Sequence, residues 1–352
     1  MESRKKILII QTAFLGDVIL ALPMVQTLKN LLPDSEIDFL CIPNTANVLE
    51  NNPQVNKILK FDKKAKDKLD KLFNAISDIR ENHYDIVLCP HRSFRSAVIT
   101  YYSGAHIKIG FDKNSMSYLL TCKVSYDSTA HEIQRNLDLI SAIPGLDLDE
   151  TKIADKPGLF PAEKDIKLVE ALLKSAPDGK NVTFAPCSKW YTKQLTIEKS
   201  LEIIKELFSK GFKVTLIGGA EDFEYCRKLE KELENQNEKS SLINLCGRLS
   251  PVQSAAAIGK SAALITVDSA AQHLGASTDT PIVLIYGSTN SSFGFYPLTS
   301  NHIIIENKEL QCRPCTDHGR TECPLGHFKC IKDLSAEEIV SSVNKLVVEN
   351  KK

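Results

Sequence analysis

The feature that most restricts this chain is an alternation. Short apolar runs rich in Ile, Val and Leu are separated by amphipathic stretches of helical period. The first run, Ile7–Ile10, has no polar residue between its apolar ones, as in a strand covered on both faces. A tight loop, Gln11–Asp17, follows, in which Gly16 permits a turn that other residues resist. A helix over Val18–Leu32 comes next, and Pro23 inside it predicts a kink or a restart. Further strands read at Glu36–Ile42, Val55–Phe61, Asp85–Cys89 and Lys108–Gly110. Helices read at Ala46–Asn51, Lys63–Glu81, from Ala97 onward, and at His131–Ile143, the last with Glu132, Arg135 and Asp138 on its polar side. Strands alternating with helices imply βαβ units and a parallel sheet.

Residues 144–160 carry Pro, Gly and charge with little periodicity, which marks a linker. A second alternating series follows. Its strands are Asn181–Ala185, Lys213–Ile217, Leu242–Leu245, Ala263–Val267 and Pro281–Tyr286. Its helices are Thr196–Lys210, ended by Gly211, then Glu221–Gln236, Pro251–Ile258 and Ser335–Val348. The expected organisation is an N-terminal Rossmann-like domain over 1–155 and a C-terminal one over 156–334. A final helix over 335–352 is expected to pack back towards the first domain.

Composition excludes several classes. Lys+Arg and Asp+Glu both number 44, so the chain lacks the basic excess of a nucleic-acid binder. Gln11, Gly16 and Asp17 interrupt the first apolar run, which argues against a signal peptide, and no run reaches the length of a membrane span. Neither half carries G-x-G-x-x-G or G-x-x-x-x-G-K-[ST] after its first strand.

Candidate chemistry sits at strand ends, where open α/β sheets bind ligands. Asp17 stands at the start of the first helix, where a carboxylate is placed either for chemistry or to cap the helix. In the second half, Ser188 and Lys193 share the loop after one strand and suit phosphate oxygens. Asp268-Ser269-Ala270 opens a helix whose N–H groups would face an anion, and His273 lies one turn on. Glu224, after Gly218-Gly219, suits a ribose hydroxyl pair. In the first half, His91, Arg92 and Arg95 follow a strand end directly. Cations there oppose the helix dipole, which points to recognition of carboxylate or phosphate on a second substrate.

Ten cysteines in such a chain read as reduced thiols. Cys41, Cys89, Cys122, Cys187, Cys226 and Cys246 are scattered and read as small core residues. Cys312, Cys315, Cys323 and Cys330, with His318 and His327 nearby, have spacing compatible with a zinc knuckle. Only one pair has the usual C-x2-C form, so a thiol-rich loop packed on the first domain is the simpler reading and no metal is assigned.

The segments ILIIQTAFLGDVILALPMVQTLK, HRSFRSAVITYYSGAHIKIGF, APCSKWYTKQLT, LCGRLSPVQSAAAIGKSAALITVDSAAQHLGA and VLIYGSTN occur in this order. Together they resemble the ADP-heptose:lipopolysaccharide heptosyltransferases of glycosyltransferase family 9. The resemblance implies a GT-B fold, two Rossmann-like domains with parallel sheets facing a central cleft. It also implies inverting, metal-independent transfer of heptose from ADP-L-glycero-D-manno-heptose to the lipopolysaccharide inner core, with no cofactor beyond the ADP-sugar substrate. The family's general base maps onto Asp17 and its phosphate-binding lysine onto Lys193, with Ser188 beside it. Its D-[ST]-G-x-x-H segment maps onto Asp268, Ser269, Ala270 and His273, and its ribose-binding acid onto Glu224. A lipid A–Kdo acceptor implies a monomer at the cytoplasmic face of the inner membrane, in peripheral contact with its surface.

The sequence departs from the family pattern at three places. Ala270 replaces a glycine, Gln194-Leu195 replaces Arg-Trp, and Ser288 and Asn290 replace Pro and Asp in the G-P-T-D turn. Two alternatives therefore stay open: another nucleotide-sugar donor on the same fold, or a non-catalytic binder of nucleotide sugar or glycan.

Overall fold

The computed structural model describes residues 4–174, 180–235 and 241–349. The chain divides into two compact units, Met1–Phe160 and Pro161–Lys352.

The first unit has strands β1 (Lys6–Ile10), β2 (Glu36–Cys41), β3 (Lys57–Lys60), β4 (Ile86–Cys89), β5 (Ile107–Phe111) and β6 (Cys122–Val124). Its helices are α1 (Leu15–Leu20), α2 (Leu22–Leu31), α3 (Lys68–Glu81), α4 (Phe94–Tyr102) and α5 (Glu132–Ser141). The strands form one parallel sheet in the order β3-β2-β1-β4-β5-β6. That is a doubly wound sheet whose strand order reverses between β1 and β4, and the reversal opens a crevice at the carboxyl ends of those two strands. Ile7 to Ile10 are fully buried, as an uninterrupted apolar run requires.

The helix expected over 18–32 is two helices. It breaks at Ala21, with Pro23 in the first turn of α2, where a missing N–H costs nothing. The helix expected from Lys63 begins only at Lys68, after a lysine-rich turn. Strand β6 has three residues at the sheet edge, too few to show periodicity. The polar side expected for α5 is also corrected: Glu132 and Arg135 are buried.

The stretch expected to be a free linker is fastened to α2 along its later half. Asn30 Nδ2 donates to Lys152 O at 2.9 Å, Ala154 N to Thr27 Oγ1 at 2.9 Å, and Gly158 N to Gln26 Oε1 at 2.9 Å. The division therefore falls after Phe160.

The second unit opens with α6 (Glu163–Leu173) and continues through β7 (Asn181–Ala185), α7 (Ile197–Ser209), β8 (Lys213–Leu216), α8 (Phe223–Asn235) and β9 (Leu242–Asn244). Then come α9 (Pro251–Gly259), β10 (Ala263–Val267), α10 (Ala270–Ala276), β11 (Ile282–Tyr286), β12 (His302–Glu306), α11 (Lys329–Lys332) and α12 (Ala336–Glu349). The helix expected to reach Gln236 is described to Asn235; Gln236 and residues 350–352 lie outside the described residues. Its sheet, β12-β11-β10-β7-β8-β9, repeats the first unit's order and is parallel throughout. The reversal here lies between β7 and β10. Gly211 takes the left-handed conformation (φ +75°) that ends α7. Within its own unit α12 packs on α7 and on β10, β11 and β12, with Ile339, Val340 and Val343 fully enclosed. Among the described residues no helix is long and apolar enough to cross a membrane.

Candidate active site

The residues singled out in the sequence lie at the two strand-order reversals, apart from Glu224, which follows β8 on α8. In the first unit, Asp17 is the third residue of α1, and its Oδ2 accepts the Phe14 N–H at 3.0 Å. Its carboxylate thus does what a first-turn acid should, while lying at the carboxyl end of β1.

Across the reversal, the loop after β4 is tied to the loop after β1 through His91. Its Nδ1 lies 2.9 Å from Thr12 Oγ1, 2.9 Å from Ser96 Oγ and 3.3 Å from Ser93 Oγ. Burial, with the positive charges of Lys63 and Arg92 nearby, pulls the His91 imidazole down to about 4. It is neutral at physiological pH and braces the two loops. Arg92 and Arg95 remain exposed.

Arg92 lies with its guanidinium 3.9 Å from the ring centroid of Tyr126, and Arg135 lies 4.8 Å from the same ring. Two cations on one aromatic ring repel each other, so the arrangement needs anions close by. Glu132 is one: its carboxylate accepts from Arg135 Nη1 at 2.8 Å. Arg135 is completed by the carbonyls of Asp127 (2.7 Å) and Ser128 (2.9 Å). Burial, offset in part by Arg135 and reinforced by the charge of Asp17, raises the Glu132 carboxyl to about 7. Asp17, Arg92, Tyr126, Glu132 and Arg135 are thus one electrostatic cluster at the carboxyl edge of the sheet.

In the second unit, Lys193 Nζ lies 2.7 Å from Asp268 Oδ2. Asp268 also accepts from Thr289 Oγ1 at 2.7 Å and from Gln272 Nε2 at 3.0 Å. It does not cap α10: the cap is Ser269, with extended backbone. Asp268 joins the loops after β7, β10 and β11 into a single node, with Ser188 Oγ 3.5 Å from its backbone carbonyl. His273 is buried on α10, and Ala270 sits at the first position of that helix. Glu224 is exposed in the first turn of α8 and pairs with Arg227 at 2.9 Å.

The loops are held close by backbone contact. Ser288 N donates to Thr192 O at 3.2 Å, and a Cβ at Gly287 would stand 2.6 Å from that same carbonyl. The cysteine-bearing segment buttresses this node. Thr192 N donates to Arg320 O at 3.1 Å, Arg320 N to Thr192 Oγ1 at 2.8 Å, and Cys315 N to Ser288 O at 2.9 Å. Gly319, at φ +97°, passes so near Lys193 that a Cβ there would lie 2.8 Å from the lysine Cδ. Arg313 donates to the carbonyls of Gly287, Thr289 and Asn307 and pairs with Glu306 at 3.0 Å. All ten cysteines are free thiols. The Cys315 thiol lies 3.0 Å from Cys312 O, and among the described residues no group of three or more His, Cys, Asp or Glu has the geometry to hold a metal.

Sequence reasoning passed over Thr289, Gln272 and Gly319 around Lys193, and Tyr126, Glu132 and Arg135 around Asp17. A signal existed for the last group: Glu132 and Arg135 share a helix face with the apolar residues that pack α5 on the sheet.

Two doubly wound α/β units, each with a six-stranded parallel sheet, have the GT-B architecture, and solved structures share the fold over nearly the whole chain. A family 9 glycosyl transferase from Veillonella parvula superposes with a TM-score of 0.85 at 22% identity, covering 99% of each chain. ADP-heptose lps heptosyltransferase II of E. coli superposes at 0.81 and 21% identity, covering 99% of this chain and 100% of that one. By sequence, lipopolysaccharide heptosyltransferase 3 of Escherichia coli K12 is 25% identical over 349 residues, 95% of this chain and 96% of that protein. Residues 72–325 match glycosyltransferase family 9 (heptosyltransferase), and the chain belongs to that family. It is a glycosyltransferase.

Proposed function

We propose that this protein transfers heptose from ADP-L-glycero-D-manno-heptose to a lipid A–Kdo acceptor of the lipopolysaccharide inner core, with inversion and without a metal ion. The observation that carries this reading is the division of charge between the two strand-order reversals: a carboxylate beside arginines in the first unit, a lysine held by an exchangeable anion in the second.

Attack by a sugar hydroxyl needs a base within hydrogen-bond reach, and Asp17 has that role. Direct displacement by the activated hydroxyl inverts the anomeric carbon. Departure of ADP needs positive charge at the diphosphate, and Lys193 supplies it. The diphosphate takes the place of Asp268 on Lys193, which frees Asp268 for sugar hydroxyls. Ser188, Ser269 and Ala270 line the phosphate cradle, His273 supports it from α10, and Glu224 takes the ribose hydroxyls. Arg92 and Arg95, on the loop braced by His91, meet the carboxylates and phosphates of the acceptor. Such an acceptor places the enzyme, as a monomer, at the cytoplasmic face of the inner membrane.

Support comes from the family match and from relatives that carry heptosyltransferase names. The test is ADP release from ADP-heptose in the presence of a lipid A–Kdo acceptor. Asp17→Asn is expected to abolish transfer and leave ADP affinity near wild type. Full activity in that variant removes Asp17 from the role, and turnover only with a different nucleotide sugar replaces the donor.

A further inference from the structure

Helix α3 carries a wider apolar arc than the sheet beneath it covers. Its Leu72, Ala75, Ile76 and Ile79 pack into the core formed with β1, β2 and β4. Leu69 and Phe73 stand one turn apart beside that stripe, and they are 69% and 65% exposed. Two large apolar side chains at i and i+4 on an outer face add nothing to that core, and such a patch marks a surface for interaction.

The surroundings of the pair are cationic. Residues 62–73 hold Lys63, Lys64, Lys66, Lys68 and Lys71 against Asp62, Asp67 and Asp70, an excess of two in a chain of zero net charge. Asp62 accepts from the backbone N–H of Lys64 at 2.9 Å, and Asp67 lies 3.9 Å from Lys71 Nζ. Lys64, Lys66 and Lys68 are exposed. The patch also reaches the candidate site. Lys63 Nζ donates to Thr12 O at 2.7 Å and lies 5.9 Å from the ring centroid of Phe14. Phe14 is 51% exposed, and its N–H is the one that Asp17 accepts.

Apolar side chains set among lysines fit the boundary of a bilayer. The apolar groups enter between headgroups and acyl chains, and the ammonium groups meet lipid phosphates. A second copy of this chain fits less well, since it would set like charges face to face. We propose that the lysine-rich turn and the start of α3, with Phe14, are a docking surface for a membrane bearing anionic phospholipid headgroups. The inference rests on the proposed function in one respect: a lipid-borne acceptor brings a bilayer to the edge where Asp17 lies.

Sedimentation of the full chain with lipid vesicles tests it. The protein is expected to pellet with phosphatidylcholine vesicles containing about one-third phosphatidylglycerol, and to stay in solution with phosphatidylcholine alone. The double variant Leu69→Ser/Phe73→Ser should weaken vesicle binding about tenfold or more. Lys64→Gln and Lys66→Gln should each weaken it about fivefold. These four side chains are exposed, so the variants should keep the wild-type melting temperature. Binding that is equal on neutral vesicles, or that ignores either set of changes, overturns the proposal. A dimer in solution that Leu69→Ser/Phe73→Ser dissolves also overturns it, by giving the patch to a second copy. Transfer to a deacylated, water-soluble acceptor, assayed in parallel, separates the two readings. Vesicle binding without transfer refutes the proposed reaction and leaves the docking surface, whereas transfer without vesicle binding removes the docking surface alone.

Discussion

Lys193 and Asp268, read in the sequence as separate parts of a nucleotide site, neutralise each other across 2.7 Å. On the proposed function, a lysine paired in this way binds an incoming diphosphate only by exchanging partners, and the pair then sets the cost of donor entry. Asp268→Asn removes the competitor but keeps acceptors and donors for Thr289 and Gln272. It is expected to tighten ADP binding several-fold while slowing transfer. Lys193→Met should weaken ADP binding by on the order of tenfold to a hundredfold. Titration calorimetry with ADP reads both, and weaker ADP binding by Asp268→Asn would show that its carboxylate supports the nucleotide directly.

Gly319 serves Lys193 from the cysteine-bearing segment. Its φ of +97° is open to few other residues, and a Cβ would stand 2.7 Å from Trp190 Cβ and 2.8 Å from Lys193 Cδ. Gly319→Ala is expected to displace the lysine stem and raise the KM for donor about tenfold, with strain on the order of 1–3 kcal/mol. An unchanged KM would show that the segment yields without moving Lys193.

His91 predicts an acid-side loss of stability. Its folded-state value, about 4, lies below the ordinary 6.5, so the folded protein takes up this proton less readily than the unfolded chain. Its contribution is fully present above pH 6.5 and is lost as pH falls towards 4. His91→Asn should be less stable than wild type at pH 7.5 by about 1 kcal/mol through its lost hydrogen bonds. That deficit should shrink as the pH is lowered, as followed by thermal melts. A deficit constant with pH would mean that the ring titrates alike in the folded and unfolded states.

Glu132 predicts the opposite slope. Its folded-state value of about 7 stands above the ordinary 4.5, so its contribution is fully present below pH 4.5 and is lost as pH rises through 7. The melting temperature of Glu132→Gln relative to wild type should therefore increase from pH 4.5 to pH 8.

The sequence made the two alternating series legible because buried parallel strands read as uninterrupted apolar runs. It also placed Asp17, His91, Arg92, Lys193 and Asp268 on the segments that follow such runs, while the strand order, and with it the reversals, came from the structure. The short edge strand β6 stayed hidden, and the extent of α3 was overread because its lysines continue the polar pattern past the helix start. Within the site, the sequence indicated residue types and left pairings undetermined. Nothing in one dimension says that Asp268 accepts from Lys193, Thr289 and Gln272 together, since those residues come from different strand ends. Glu132 and Arg135 were read as solvent-facing because charge usually is. Burial of both became affordable only through the carbonyls of Asp127 and Ser128, supplied by an irregular segment.

The three hydrogen bonds that α2 makes to residues 152, 154 and 158 decide where the chain can be cut. A fragment ending at Phe160 keeps every one of them, whereas one ending at Glu150 strips Thr27 and Gln26 of their amides and frays the helix that backs Asp17. Proteases offered the intact protein should accordingly nick beyond Gly158 and spare the Pro- and Gly-bearing stretch before it from Lys152 onward, releasing an amino-terminal half that still carries Asp17.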